Sequence, residues 1–191
     1  MTATSALLVI DMQNATVAMA HRAAETVAAI AALSARARAV GVPVVTVRQQ
    51  GEGMAPGTEG WEVVPELAPR EGEAVVDKTT PDSFLGTDLD AILTARGVTE
   101  VVVTGFATEV CVDTTARQAL SRGYDLVVVA DGHTTSVRTA ADVDLVPADR
   151  SIAQANAVYR MIGWPGRRIR VRAAADVDFG APEGARDVRP A

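Results

Sequence analysis

The feature that most constrains the fold is a repeated unit of helix, glycine and strand. Four stretches in which apolar residues recur at helical spacing are each followed by a glycine and then by a short β-branched run. The glycines are Gly41, Gly97, Gly123 and Gly163. Glycine is typical of a helix end, because it adopts the left-handed backbone conformation at little steric cost. Helices that alternate with strands predict a parallel sheet with helices on both faces.

The boundaries of these elements follow from the same pattern. Strands are predicted at 6–10, 42–47, 73–77, 100–104, 125–130 and 168–171. Helices are predicted at 22–40, 87–96, 110–122 and 148–162, with Thr87 and Asp149 as N-caps. The fold class is therefore α/β, a three-layer α/β/α arrangement around a six-stranded parallel sheet. In such sheets ligands bind beyond the carboxyl ends of the strands.

Composition places the chain among globular proteins with one domain. Its 191 residues are 48% hydrophobic, enough for a sizeable core, and carry a net charge of −6. An acidic chain lacks the basic surface that attracts nucleic acids and anionic membranes, so we expect neither as a partner. No apolar run approaches the ~20 residues of a membrane span, and residues 1–5 do not resemble a signal peptide. A single cysteine excludes an internal disulfide and indicates the cytoplasm.

Three segments do not fit the repeated unit. Residues 48–72 are rich in Gly, Pro and Glu and are too long for a plain connection. Residues 133–147 are polar and are expected to form a flap. We expect one domain over residues 1–175, followed by a loosely ordered tail at 176–191.

Reactive side chains follow several of the predicted strands. Asp11 follows the first strand and Lys78 the third, Cys111 lies shortly after the fourth, and His133 follows the fifth. Because the carboxyl ends of parallel strands share one edge of the sheet, a carboxylate, an ammonium and a thiol are expected to meet there. This set suits nucleophilic catalysis, which needs a nucleophile, a base and a charge that organises the base.

Each of these residues also has a simpler interpretation. Cys111 lies in the first turn of a predicted helix, where the helix dipole favours the thiolate, but a lone cysteine is often a small buried hydrophobe. Asp11 could cap the following turn, and Lys78 could be a solvated charge. Lys78 is nevertheless the one lysine among 18 basic residues. His133 could be a base or could orient a loop.

Several blocks of sequence, in order, resemble one family. They are LLVIDMQN at 7–14, GTEG at 57–60, Lys78 with SF at 83–84, GFATEVCV at 105–112 and TAR at 115–117. Together they resemble the isochorismatase-like cysteine hydrolases, a group that includes nicotinamidases and N-carbamoylsarcosine amidases. The resemblance covers roughly residues 6–162.

The resemblance implies a sheet of order 3-2-1-4-5-6 and a role for each reactive residue. Cys111 would be the nucleophile, Asp11 the base and Lys78 the partner of both. A cis peptide bond would join Phe106 to Ala107, and the N–H groups of Ala107 and Cys111 would form an oxyanion hole. Substrate-binding candidates are Gln13, Val17, Trp61 and Phe106.

The sequence departs from the family pattern at three points. Ala15 and Thr16 stand where many of the amidases have an acidic and an aromatic residue. Arg48, Gln49 and Gln50 stand where nicotinamidases have metal-binding histidines, so neither a metal nor another cofactor is implied. True isochorismatases lack the cysteine, so Cys111 argues against cleavage of a vinyl ether.

The implied function is hydrolysis of an amide, carbamoyl or lactam C–N bond in a small molecule, through a thioester acyl-enzyme. The resemblance also implies a homodimer or homotetramer. Three alternatives stay open: the fold acting on another small substrate, a non-catalytic binding or assembly subunit, and a nucleotide-binding module. The last lacks the glycines that bind phosphate.

Overall fold

A six-stranded parallel sheet forms the centre of the molecule. The structure is a computed structural model that describes residues 4–139 and 146–179. The strands are β1 (Ser5–Ile10), β2 (Val44–Gln49), β3 (Ala74–Lys78), β4 (Glu100–Phe106), β5 (Asp125–Thr134) and β6 (Ile169–Arg172). Their order is β3-β2-β1-β4-β5-β6, and every neighbouring pair is parallel. The expected fold class and strand order are confirmed.

Helices cover both faces of this sheet. They are α1 (Asn14–Ala18), α2 (Ala23–Ala39), α3 (Leu89–Ala95), α4 (Asp113–Ser121) and α5 (Ala148–Met161). A π-helical turn at Thr108–Val112 leads into α4, and short 3₁₀ turns lie at Pro65–Leu67 and Ala174–Asp176. Among the residues described, no helix is both long and apolar enough to cross a membrane.

The apolar strands supply side chains to two separate cores. Leu8 and Ile10 of β1 belong to a core that α3, α4 and α5 cover. Leu7 and Val9 point the other way, into a second core that α2 covers. This alternation explains why β1 is apolar at almost every position, since both faces of a central parallel strand are buried.

Three elements near the site differ from the prediction: two have other boundaries, and one was not predicted. β5 runs through Thr134, so His133 lies inside the strand and does not follow it. Cys111 lies in the π-helical turn and not in the first turn of the helix. The short helix α1, directly after Asp11, was not predicted.

Predicted helix ends agree with the structure in part. Gly41, Gly97 and Gly123 have positive φ as expected, but Gly163 does not, and α5 ends on an extended Ile162. Asp149 lies within the first turn of α5, whose N-cap is Pro147, and the N-cap of α3 is Asp88. An acidic side chain in the first turn still stabilises the helix, because it interacts favourably with the positive end of the helix dipole.

The beginning of the expected tail is packed against the domain. Val177 is buried in the core under α2, and Arg36 donates hydrogen bonds to the carbonyl groups of Ala174 and Val177. Packing therefore continues beyond residue 175. Residues 180–191 of the expected tail and 140–145 of the expected flap lie outside the described residues.

Close contact between β1 and β4 depends on Gly105. Its φ is +121°, and a Cβ atom at this position would lie 2.0 Å from the carbonyl oxygen of Ile10. Both the backbone angle and the contact exclude a side chain. Because Ile10 precedes Asp11, this contact also fixes the strand end that carries the carboxylate.

We predict that Gly105→Ala destabilises the protein by at least about 3 kcal/mol, because strain at positive φ and a backbone clash add together. Gly41→Ala is the matched control: φ there is +74°, but no atom lies within 4 Å of the added Cβ. The control should cost about 1–2 kcal/mol. Urea unfolding measures both values, and equal losses would show that the Ile10 contact imposes no constraint.

Candidate active site

Three side chains meet at the carboxyl edge of the sheet, at the ends of β1 and β3 and in the turn after β4. The Nζ atom of Lys78 lies 2.7 Å from Oδ2 of Asp11 and 3.4 Å from Sγ of Cys111. The structure thus brings together the three residues that the sequence placed at strand ends. The ammonium lies between the carboxylate and the thiol and contacts both.

The backbone of Asp11 is held in an uncommon conformation. Its φ is +53°, in the left-handed region that aspartate tolerates better than most residues. Its N–H donates to the carbonyl of Val47 at 2.8 Å, and its carbonyl accepts the hydroxyl of Thr16 at 2.5 Å. These bonds turn the chain sharply out of β1 and direct the carboxylate toward β3.

Lys78 is fully buried, and its ammonium has one acceptor for each of its three protons. Besides Asp11 and Cys111, it donates to Oε1 of Gln49 at 2.6 Å. A buried ammonium needs such saturation, because each unpaired proton would carry a large desolvation cost. Gln49 was not predicted from the sequence as a partner of Lys78, because only the β2–β3 register shows that it lies beside the end of β3.

Cys111 is half-buried, and its thiol is protonated at neutral pH. Burial, followed by the negative charge of Asp11, raises the pKa of Cys111 to about 11, and the charge of Lys78 opposes both effects. The predicted place of Cys111 in the first turn of a helix had indicated a thiolate favoured by the helix dipole. The thiol instead lies in a π-helical turn beside a carboxylate, so that expectation is not met.

Asp11 has one carboxylate oxygen left to accept a proton. Burial raises the pKa of Asp11 above its ordinary value, and the adjacent Lys78 charge opposes the increase. Oδ2 is bound to Lys78, whereas Oδ1 is buried and has no hydrogen-bond partner among the described residues. A carboxylate with a raised pKa and an open acceptor atom is suited to general-base chemistry.

The turn that carries Cys111 begins at Ala107. The peptide bond between Phe106 and Ala107 is cis. The carbonyl of Ala107 accepts the N–H groups of Val110 and Val112 at 3.0 and 3.1 Å, which anchors the turn at its first residue. Ala107 is buried, and it is the residue to which the family resemblance assigns an oxyanion donor.

A second set of hydrogen bonds connects this turn to β5 and α5. Asn156 donates to the carbonyl of Ala130, so its Oδ1 accepts Nε2–H of His133 at 3.1 Å. Nδ1 of His133 then accepts the hydroxyl of Thr108 at 2.9 Å. Burial lowers the pKa of His133, which keeps the ring neutral. His133 therefore positions the turn, and both ring nitrogens are occupied by protein groups.

The four substrate-binding candidates differ in their surroundings. Gln13 is fully buried, and its amide is bonded to the backbone of Gln49 and to the carbonyl of Trp61, so it does not offer a group to a substrate. Val17 and Phe106 are partly buried against the core under α2. The guanidinium of Arg48 lies 3.8 Å from the centre of the Trp61 ring. For Val17, Trp61 and Phe106 substrate contact stays a prediction.

Known proteins share both the sequence and the fold. The model of the isochorismatase domain matches residues 5–154. The chain belongs to the isochorismatase family. Among the described residues, no group of three or more His, Cys, Asp or Glu side chains could hold a metal ion.

Three relatives of this isochorismatase-family chain are hydrolases by name. A streptothricin hydrolase of Streptomyces noursei is 42% identical over 76% of this chain, which spans only 56% of that protein. A ureidoacrylate amidohydrolase of Variovorax paradoxus is 33% identical, over 66% of this chain and 67% of its own length. The crystal structure of a cysteine hydrolase from Pseudomonas syringae superposes with a TM-score of 0.79 at 25% identity, covering 91% of this chain and 90% of that one.

The charge of Asp11 should hold the resting thiol in its protonated form. We predict that Asp11→Asn lowers the pKa of Cys111, because it removes a negative charge and leaves Lys78 beside the sulfur. Alkylation of Cys111 by iodoacetamide at pH 8 should accelerate about tenfold, as expected for a shift of one pKa unit. Asp77→Asn, which removes the carboxylate next to Lys78 in sequence, is the matched control. Slower alkylation in Asp11→Asn would contradict this electrostatic account.

The neutral state of His133 predicts a pH-dependent contribution to stability. Its folded-state pKa lies below the ordinary 6.5, so the unfolded chain takes up a proton first as the pH falls. The stabilisation is complete above about pH 6.5 and is lost progressively below it. The Tm difference between the wild type and His133→Gln should therefore be largest at pH 7–8 and shrink toward pH 5. A difference independent of pH would refute a buried neutral imidazole.

Proposed function

We propose that the protein is a cysteine hydrolase that cleaves an amide, carbamoyl or lactam C–N bond of a small molecule through a thioester acyl-enzyme. One observation carries the proposal: a fully buried ammonium, Lys78, donates at once to the carboxylate of Asp11 and to the sulfur of Cys111. The names of two relatives, a streptothricin hydrolase and a ureidoacrylate amidohydrolase, agree with this reaction class.

Formation of the nucleophile is the first step. With the pKa of Cys111 at about 11, only about 10⁻⁴ of the thiol is ionised at pH 7, so a base must act. Asp11 takes the proton, and its unpaired oxygen Oδ1 is the available acceptor. The negative charge moves from the carboxylate to the sulfur, and Lys78 stays bonded to Oδ2 of Asp11 and to the sulfur, so the transfer needs no rearrangement of the ammonium.

Acyl transfer follows from the same three groups. The thiolate forms a C–S bond to the substrate carbonyl, whose π electrons move to the oxygen, where the N–H groups of Ala107 and Cys111 would receive it. Asp11 returns the proton to the leaving nitrogen as the C–N bond breaks. A water molecule then gives a proton to Asp11 and attacks the thioester. The carboxylic or carbamic acid leaves, and Cys111 regains its proton.

The decisive test is a panel of primary amides, ureido compounds and lactams, scored by ammonia release or ring opening. Mass spectrometry during turnover should detect an acyl adduct on Cys111. Its added mass should equal that of the substrate minus the leaving amine for an amide or ureido compound, and that of the whole substrate for a lactam, whose amine stays attached. Cys111→Ala should eliminate both signals. A non-catalytic binding or assembly subunit would turn over no compound of the panel and would form no adduct.

The compact ammonium of Lys78 is expected to be irreplaceable. Lys78→Arg keeps the charge, but its larger planar guanidinium cannot fit three acceptors arranged around one nitrogen atom. A displacement of about 1 Å at the reacting groups would lower turnover about 10²-fold. Arg117→Lys, in the half-exposed pair with Asp113, is the control and should retain turnover. Wild-type turnover in Lys78→Arg would remove Lys78 from the mechanism.

A further inference from the structure

The hydrogen bond from Lys78 to Gln49 has no part in the mechanism above, yet its donor–acceptor distance is the shortest of the three that the ammonium makes. Nζ lies 2.6 Å from Oε1 of Gln49, compared with 2.7 Å to Asp11 and 3.4 Å to Cys111. The three acceptors together define the direction of every ammonium proton. Without Gln49, one proton would be unpaired, and the ammonium would be free to turn away from the sulfur.

The amide of Gln49 is oriented for this role. Its Nε2 donates to the carbonyl of Gln50 at 2.7 Å, so Oε1 is the atom that faces Lys78. A reversed amide would lose this bond and would turn an NH₂ group toward the ammonium. The β2–β3 register pairs Gln49 with Lys78, and paired residues on parallel strands direct their side chains to the same face.

Gln13 holds the backbone of Gln49 in turn. Oε1 of Gln13 accepts the N–H of Gln49 at 2.8 Å, and Nε2 donates to the Gln49 carbonyl at 2.9 Å. The backbone N–H of Gln13 donates to the hydroxyl of Thr16, which itself donates to the carbonyl of Asp11. A closed ring of hydrogen bonds thus runs from Asp11 through Thr16, Gln13, Gln49 and Lys78 and back to Asp11.

We propose that Gln49 is a positioning residue that directs the Lys78 ammonium toward Cys111, and that its neutrality is as necessary as its acceptor atom. This rests on the proposed function, in which Lys78 stabilises the thiolate. A carboxylate at position 49 would also hold the ammonium. It would, however, place a second negative charge beside the site where the sulfur must become negative, and the thiolate would be disfavoured.

Two variants test separately the two properties of Gln49 that the proposal requires, its acceptor oxygen and its lack of charge. Gln49→Glu keeps the length and the acceptor but adds a charge, and it should move the pH profile of Cys111 alkylation upward by about 1 unit or more. Gln49→Met keeps the length and removes the acceptor, and it should lower kcat about 10-fold or more with KM within about threefold, because Lys78 acts on the reacting sulfur.

The matched control is Gln50→Glu. It adds the same charge one residue further along, where the glutamine side chain forms no hydrogen bond among the described residues, and should shift the alkylation profile by less than about 0.3 unit. Equal shifts in Gln49→Glu and Gln50→Glu would overturn the proposal, as would an unchanged kcat in Gln49→Met. If Gln49→Met does not fold, by circular dichroism, the alkylation profile of Gln49→Glu decides.

Failure of this proposal can be distinguished from failure of the proposed function. Alkylation by iodoacetamide requires no substrate, so it reports on Gln49 even if no compound of the panel is hydrolysed. Cys111-dependent turnover combined with unshifted alkylation in Gln49→Glu would leave the hydrolase intact and remove Gln49 from its positioning role.

Discussion

Burial of a single ammonium imposes the arrangement on which the rest of the site depends. Lys78 has no exposed side-chain surface, and a charge can be held in such a place only if every donor is paired. Its three acceptors come from the ends of β1 and β2 and from the turn after β4. The parallel sheet brings these segments to one edge, and the ammonium joins them.

The same burial sets the protonation state of Cys111. Removal from water penalises the charged forms of both Asp11 and Cys111, so the pKa of each is raised, and Lys78 compensates only in part. The resting site contains one ion pair and one neutral thiol. A neutral thiol reacts more slowly than a thiolate with alkylating and oxidising agents, so the resting state protects Cys111 from both.

The sequence allowed the fold and the three reactive residues to be predicted, because both depend on regular patterns. Glycines at helix ends and apolar runs defined the sheet, and Asp11 and Lys78 could be placed at its edge from their positions after strands. Gln49 could not be identified in this way. A neutral amide at a strand end resembles any surface glutamine until the strand register places it beside Lys78.

The errors of prediction concern features of the folded chain that the amino-acid sequence does not reveal. Gln13 was interpreted as a substrate contact, because the sequence does not reveal that its amide is bonded to the backbone of another strand. β5 was predicted to end at residue 130, before His133, whereas the strand runs through Thr134. The π-helical turn before α4 has no compositional signal that separates it from a regular first turn.

The closed ring through Asp11, Thr16, Gln13, Gln49 and Lys78 has an evolutionary consequence. Each member holds the next, so loss of one weakens the geometry on which its neighbours act, and their contributions are coupled and not additive. A substitution at one position changes which residues are tolerated at the other four. The five residues of this ring should therefore change together during evolution, whereas residues outside it can change one at a time.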